Sequence, residues 1–167
     1  GELNFQQRVD IPADTTLSAA STTDINASSH ILQMSGVTVV ESGATITGNG
    51  YLQNASTGNM LLPVGFSTGN VGLSNQGTLR LGDAVGVVSV PEFVQSDAAT
   101  LVVDVGKNKA GTNSDVLTTS SGAAAIDGFV QPNIVHIRGT FVAPQVGDSF
   151  TVLTAGGGVG GTFANVL

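Results

Sequence analysis

Residues 45–62 read TITGNGYLQNASTGNMLL, a stretch with three glycines, two asparagines flanking one tyrosine, and apolar residues that never settle into helical spacing. A second copy follows it. Leu52-Gln53-Asn54, then Gly58 and Met60, is echoed by Leu73-Ser74-Asn75, then Gly77, Leu79 and Leu81. At an offset of about 21 residues the likeness extends along the first half, placing Ile11 on Leu32, Ile25 on Ile46, Val40 on Leu61, Met60 on Leu81, Gly48 on Gly69 and Gly65 on Gly86. A fixed period in this range marks a solenoid or an array. The Leu-x-x-Leu-x-Leu consensus of leucine-rich repeats is missing.

Short β-branched runs fill each repeat: 37–40, 44–47, 58–62, 78–81 and 85–90. Gly and Asn punctuate them, as at Asn49-Gly50 and Gly69-Asn70, where left-handed backbone is cheap for those residue types. Three short strands per repeat predict an all-β chain, a right-handed parallel β-helix (β-solenoid) with coils of about 21 residues and no substantial helix. Ile46, Leu52, Leu61, Leu73, Leu79 and Leu81 are expected inside, and Thr68 on the surface. Asn54 and Asn75, with Gly58 and Gly77, are expected to stack at a turn as a structural ladder, each amide bonding the next coil.

At 167 residues the chain suits one domain. The expectation is a single solenoid over 1–167, a piece of a longer protein, with repeat coils over 1–90 and C-terminal, cap-like coils over 91–167. Charged residues make up 10% and hydrophobic ones 41%, with 23 glycines and a mean hydropathy of +0.28, so the chain has enough apolar surface to fold and is not of disordered composition. A net charge of −7 with five Lys and Arg argues against nucleic acid, whose phosphates require a basic surface. The scattered acids Asp83, Glu92, Asp97, Asp104, Asp115, Asp127 and Asp148 read as solvated turn residues. The absence of cysteine removes disulfides, zinc-thiolate sites and thiol nucleophiles. No apolar run approaches the ~18 residues of a membrane span.

From about residue 91 the texture changes. Phe93-Val94-Gln95, Leu101-Val102-Val103-Asp104-Val105, Asp115-Val116-Leu117, Ala125-Ile126-Asp127-Gly128, a strand over 147–155 containing Gly147-Asp148-Ser149-Phe150 and Leu153, and Gly161-Thr162-Phe163 form an ordered series. Over residues 72–167 this resembles the C-terminal β-helix region of autotransporter-type passenger domains and related secreted bacterial adhesin-like proteins. The residues that carry the resemblance are Asp115, Leu117, Gly128, Gly147, Asp148, Phe150, Leu153 and Phe163. The resemblance implies the last coils of a right-handed β-helix on a secreted or outer-membrane-attached protein. The Pro-containing stretch 131–137 departs from the pattern.

Parallel β-helices that cleave polysaccharides need clustered carboxylates with Arg or Lys on one exposed face, within hydrogen-bond reach of one substrate atom. Glu41, Arg80, Asp83, Glu92, Asp104 and Asp127 are the candidates, and at the same repeat offset Arg80 overlies Asn59 while Asp104 overlies Asp83. That gives one stacked acidic pair, too little for a catalytic set, so no catalytic residue is assigned. His30 and His136 lie far apart, and the sequence places no His or Asp at metal-ligand spacing from either. The segment 106–115 lacks a calcium consensus, carries two lysines, and reads as an exposed loop. Gly156–Gly161 lacks the Lys-Ser/Thr and the helix of a phosphate loop. No cofactor or metal is expected. The expected role is a structural, adhesive surface segment, secreted or on a bacterial cell surface, that meets a glycan or protein of a host surface or matrix and self-associates through open solenoid ends. The rivals are a polysaccharide-degrading β-helix and a viral or phage fibre segment.

Overall fold

The computed structural model describes residues 2–4, 8–26, 29–82, 84–137 and 142–167. All regular structure among them is strand, and the strands stack in parallel into flat faces visited in rotation. One face is a seven-stranded sheet of Arg8–Ile11, Ile31–Met34, Tyr51–Asn54, Gly72–Asn75, Phe93–Gln95, Ala124–Ile126 and Val159–Gly161. The next holds Thr15–Leu17, Val37–Val40, Asn59–Leu62, Thr78–Leu81, Thr100–Asn108, Phe129–Ile134 and Asn165–Val166. The third is split into Glu2–Asn4, Thr22–Ile25 and Thr45–Gly48 below, and Val87–Val90, Val116–Thr119 and Leu153–Ala155 above. Between the halves, Ser67 makes a lone parallel bridge to Ser89. This topology is consistent with a β-helix.

Strand alternation decides what is buried. Along Asn59–Leu62, Met60 and Leu62 point inward and are fully buried, while Leu61 faces out half-buried, contrary to the inward expectation. Ile46, Leu52, Leu73, Leu79 and Leu81 do lie in the core. The error at Leu61 comes from imposing one offset. Leu52 and Leu73 pair at the spacing of the sequence repeat. Leu32, however, pairs with Leu52, one residue short of it, Val39 with Leu61, one residue beyond it, and Met60 with Leu79, two short. Turns absorb the difference, and a one-residue slip turns a side chain to the other face. Likewise Ile11 pairs with Met34 rather than Leu32, Ile46 with Thr23 rather than Ile25, and Arg80 with Leu61 rather than Asn59. Thr68, expected on the surface, is fully buried, its hydroxyl donating to the Val71 carbonyl at 2.6 Å.

Later coils are longer. Asp24 pairs with Thr47 in an early coil, whereas Asp104 pairs with Asn133 and Thr118 with Thr154. Part of the extra length is a hairpin: the strand Thr100–Asn108 runs past its neighbour and turns back antiparallel as Gly111–Ser114, where a loop was expected. The strand expected over 147–155 is confined to Leu153–Ala155, and its expected start at Gly147 lies in a turn with a positive φ of 98°. Pro132 sits in Phe129–Ile134 beyond Val130, where pairing with Asn165–Val166 has ended, so its missing N–H interrupts no ladder on that side.

Candidate functional site

The carboxylates singled out by sequence are dispersed. Glu41 accepts the Ala19 N–H at 2.8 Å, and Asp127 accepts the Gly128 N–H at 2.7 Å. Asp83 lies outside the described residues. Arg80 and Asp104 do meet, at 3.8 Å between Nη2 and Oδ1, and Asp115 joins them. Asp115 was read as a solvated turn residue, yet it is 1% exposed, as is Asp104. Its two oxygens accept the N–H groups of Gly86 (2.9 Å) and Asp104 (2.7 Å), while Asn133 donates to Asp104 at 2.7 Å. Burial pushes the Asp115 carboxyl up to about 6, against the lowering effect of those two backbone donors. The two carboxylates are sealed at the base of the hairpin and hold coils together, while Arg80 reaches the surface.

The asparagines form an internal ladder. Asn54 Nδ2 donates to Asn75 Oδ1 (2.9 Å) and to the Thr78 carbonyl (2.8 Å). Asn75 Nδ2 donates to Gln95 Oε1 and to the Thr100 carbonyl, both at 3.1 Å. Gln95 continues upward to the carbonyls of Asp127 (2.8 Å) and Phe129 (3.1 Å). Downward the ladder stops, because Met34 pairs beneath Asn54 and offers no donor to Asn54 Oδ1, which stays unpartnered. Gly58 and Gly77 make room for it: a Cβ on Gly58 would stand 2.2 Å from Asn54 Oδ1, and one on Gly77 2.3 Å from the Ala55 carbonyl oxygen. Fully buried, the ladder reaches no ligand.

The other motif residues take supporting places. Leu117 is fully buried, Gly128 has a φ of 67° with no space for a Cβ beside the Ala99 carbonyl, and Phe150, Leu153 and Phe163 pack half-buried against the core. Asp148 accepts from Lys107 Nζ and from the Gln145 N–H, 2.6 and 2.7 Å, which holds its carboxyl below the usual range and ties the hairpin to the following turn.

The outer face of the seven-stranded sheet carries a feature that sequence reasoning passed over. Tyr51 points outward, and the position paired with it one coil up is Gly72. With no side chain there, the phenol lies across Gly72 and its hydroxyl donates to Glu92 Oε2 at 2.8 Å. A Cβ on Gly72 would fall 2.5 Å from Tyr51 Cε1. The bond to Glu92, with burial, raises the Tyr51 pKa. A polar depression of about 250 Å³, lined by Asn49, Asn70, Glu92 and Ser121, opens on one side of the ring. A more apolar one of about 220 Å³, lined by Ile31, Gln53, Ser74 and Val94, opens on the other. Gln53 is 8% exposed, and its Oε1 has no hydrogen-bond partner. The signal in the sequence was a lone tyrosine one repeat from a glycine.

Among the described residues no group of three or more His, Cys, Asp or Glu could hold a metal ion, and no helix is long and apolar enough to cross a membrane. Gly156–Gly161 straddles a turn and the short strand Val159–Gly161. No family model matches the chain, and it matches no curated protein.

Proposed function

We propose that this chain is a segment of a right-handed β-solenoid whose early coils keep close to the period of the sequence repeat and whose later coils lengthen toward the C-terminal side. We further propose that it serves as a rigid attachment surface on a secreted or cell-surface bacterial protein of the autotransporter passenger type. One observation carries the reading: each face stacks strand on strand around a shared core, and among the described residues no helix or further sheet covers the outward rows. Such a stack holds side chains from distant parts of the sequence in fixed register over a long span. The clustered acids are sealed inside, which favours attachment over cleavage.

Beads coated with the chain should be retained under flow on a film of mucin or of matrix protein, and the chain should release no reducing ends or unsaturated uronates from neutral or acidic glycans. Turnover abolished by Asp104→Asn would overturn the reading in favour of a polysaccharide-degrading enzyme. Bead retention no greater than with albumin-coated beads would remove attachment.

A further inference from the structure

We propose that the outer face around Tyr51 binds a neutral saccharide carrying an N-acetyl group. This assignment rests on the attachment reading and names the face and the ligand class. The two depressions differ in chemistry and share the phenol ring. An aromatic ring held flat against a sheet by a glycine below and a carboxylate at its hydroxyl is a preorganised platform for the C–H face of a sugar ring. On the polar side, Asn49, Asn70, Glu92 and Ser121 offer the amides, carboxylate and hydroxyl that pair with sugar hydroxyls.

The apolar side sets the class. Gln53 Oε1 is buried and lacks a donor, a state that is costly to maintain and that a ligand N–H would relieve once the amide turns outward into the depression. The Gln53 side chain lines a depression bounded by Ile31 toward one end and Val94 toward the other. An acetamido group fits both features at once, its N–H meeting Gln53 Oε1 and its methyl meeting one of these aliphatic side chains. A plain hydroxyl would satisfy the oxygen and leave the apolar walls uncovered. An anionic sugar would meet Glu92, the only charged residue lining either depression among the described residues, on a chain of net charge −7.

The test titrates the isotope-labelled chain with triacetylchitotriose, cellotriose and the deacetylated glucosamine trimer, followed by NMR and calorimetry. The acetylated trimer should shift the amides around Tyr51, Gln53 and Val94 with a Kd on the order of 1 mM, at least about tenfold tighter than cellotriose. Tyr51→Ala and Gln53→Leu should each weaken it by about tenfold or more, and Ser56→Ala, on an exposed turn, should leave it unchanged. Gln53→Leu replaces an unpartnered polar end with an apolar one and should fold, so the test survives if Tyr51→Ala does not. Equal binding of cellotriose, tighter binding of the cationic trimer, undiminished binding by Gln53→Leu, or no shifts at about 20 mM acetylated trimer would each overturn the proposal. Bead retention on matrix protein without trimer binding sinks this site and leaves attachment standing. Trimer binding without retention on either film does the reverse.

Discussion

Gly77 is surrounded by backbone: the Ala55 and Gly58 carbonyl oxygens would lie 2.3 and 2.4 Å from an added methyl, with Asn54 Nδ2 at 3.2 Å. The Ala55 carbonyl accepts the Gly58 N–H and the Gly58 carbonyl the Thr78 N–H, so neither can rotate away without losing a backbone hydrogen bond. Gly77→Ala should therefore cost about 1 to 3 kcal/mol, toward the upper end, read from the urea midpoint at unchanged m-value. Asp115 supports a prediction of a different kind. Its folded pKa of about 6 stands above the usual 3.8, so the fold favours its protonated form. That contribution is complete below about pH 3.8 and is lost as pH rises through 6. Asp148 acts in the opposite sense, its lowered pKa adding stability above the usual carboxylate range and losing it in acid. A comparison of the wild type with Asp115→Asn cancels the Asp148 term. The melting-temperature gap between them should shrink from pH 4 to pH 7, and parallel curves would contradict the burial argument.

Strands make their largest contribution through inward positions. Leu73 is fully buried at the middle of the seven-stranded face, between Leu52 and Phe93. Leu73→Ala should cost about 2 to 5 kcal/mol once its cavity is counted, whereas Ser56→Ala should fall within about 0.5 kcal/mol of the wild type. Equal urea midpoints for the two would refute the inward assignment. Much at this scale was legible: Leu52, Leu73, Asn54 and Asn75 sit on one pair of strands whose spacing matches the sequence repeat. Leu61 and Arg80 were misplaced because turn lengths are set by backbone geometry that composition does not reveal, and alternation converts an error of one residue into the wrong face. The hairpin was missed because Gly106-Lys107-Asn108-Lys109 has loop composition, and only the extension of Thr100–Asn108 beyond its partner gives it a strand to pair with. The Tyr51 platform left only the faint signal of a tyrosine one repeat from a glycine, because Tyr51, Gly72 and Glu92 become neighbours only once three coils are in register.

Across the whole molecule each coil meets chiefly the coils above and below it. Paired positions are closer together along the chain in the early coils, as Asn59 and Thr78 are, than in the late ones, as Thr118 and Thr154 are. This uneven spacing has a mechanical reading. Drawn apart by its two ends, such a stack should peel one coil at a time, because each interface is a separate set of bonds with little help from more distant layers. An early coil would free roughly 70 Å of chain and the longest late coil roughly 120 Å, taking about 3.4 Å per residue. Force-extension traces should show a sawtooth whose steps range from about 70 to about 120 Å, and a single rip of the full contour would contradict layer-by-layer release. A tether built this way yields in instalments, so a load that would break one joint outright is dissipated over many small extensions.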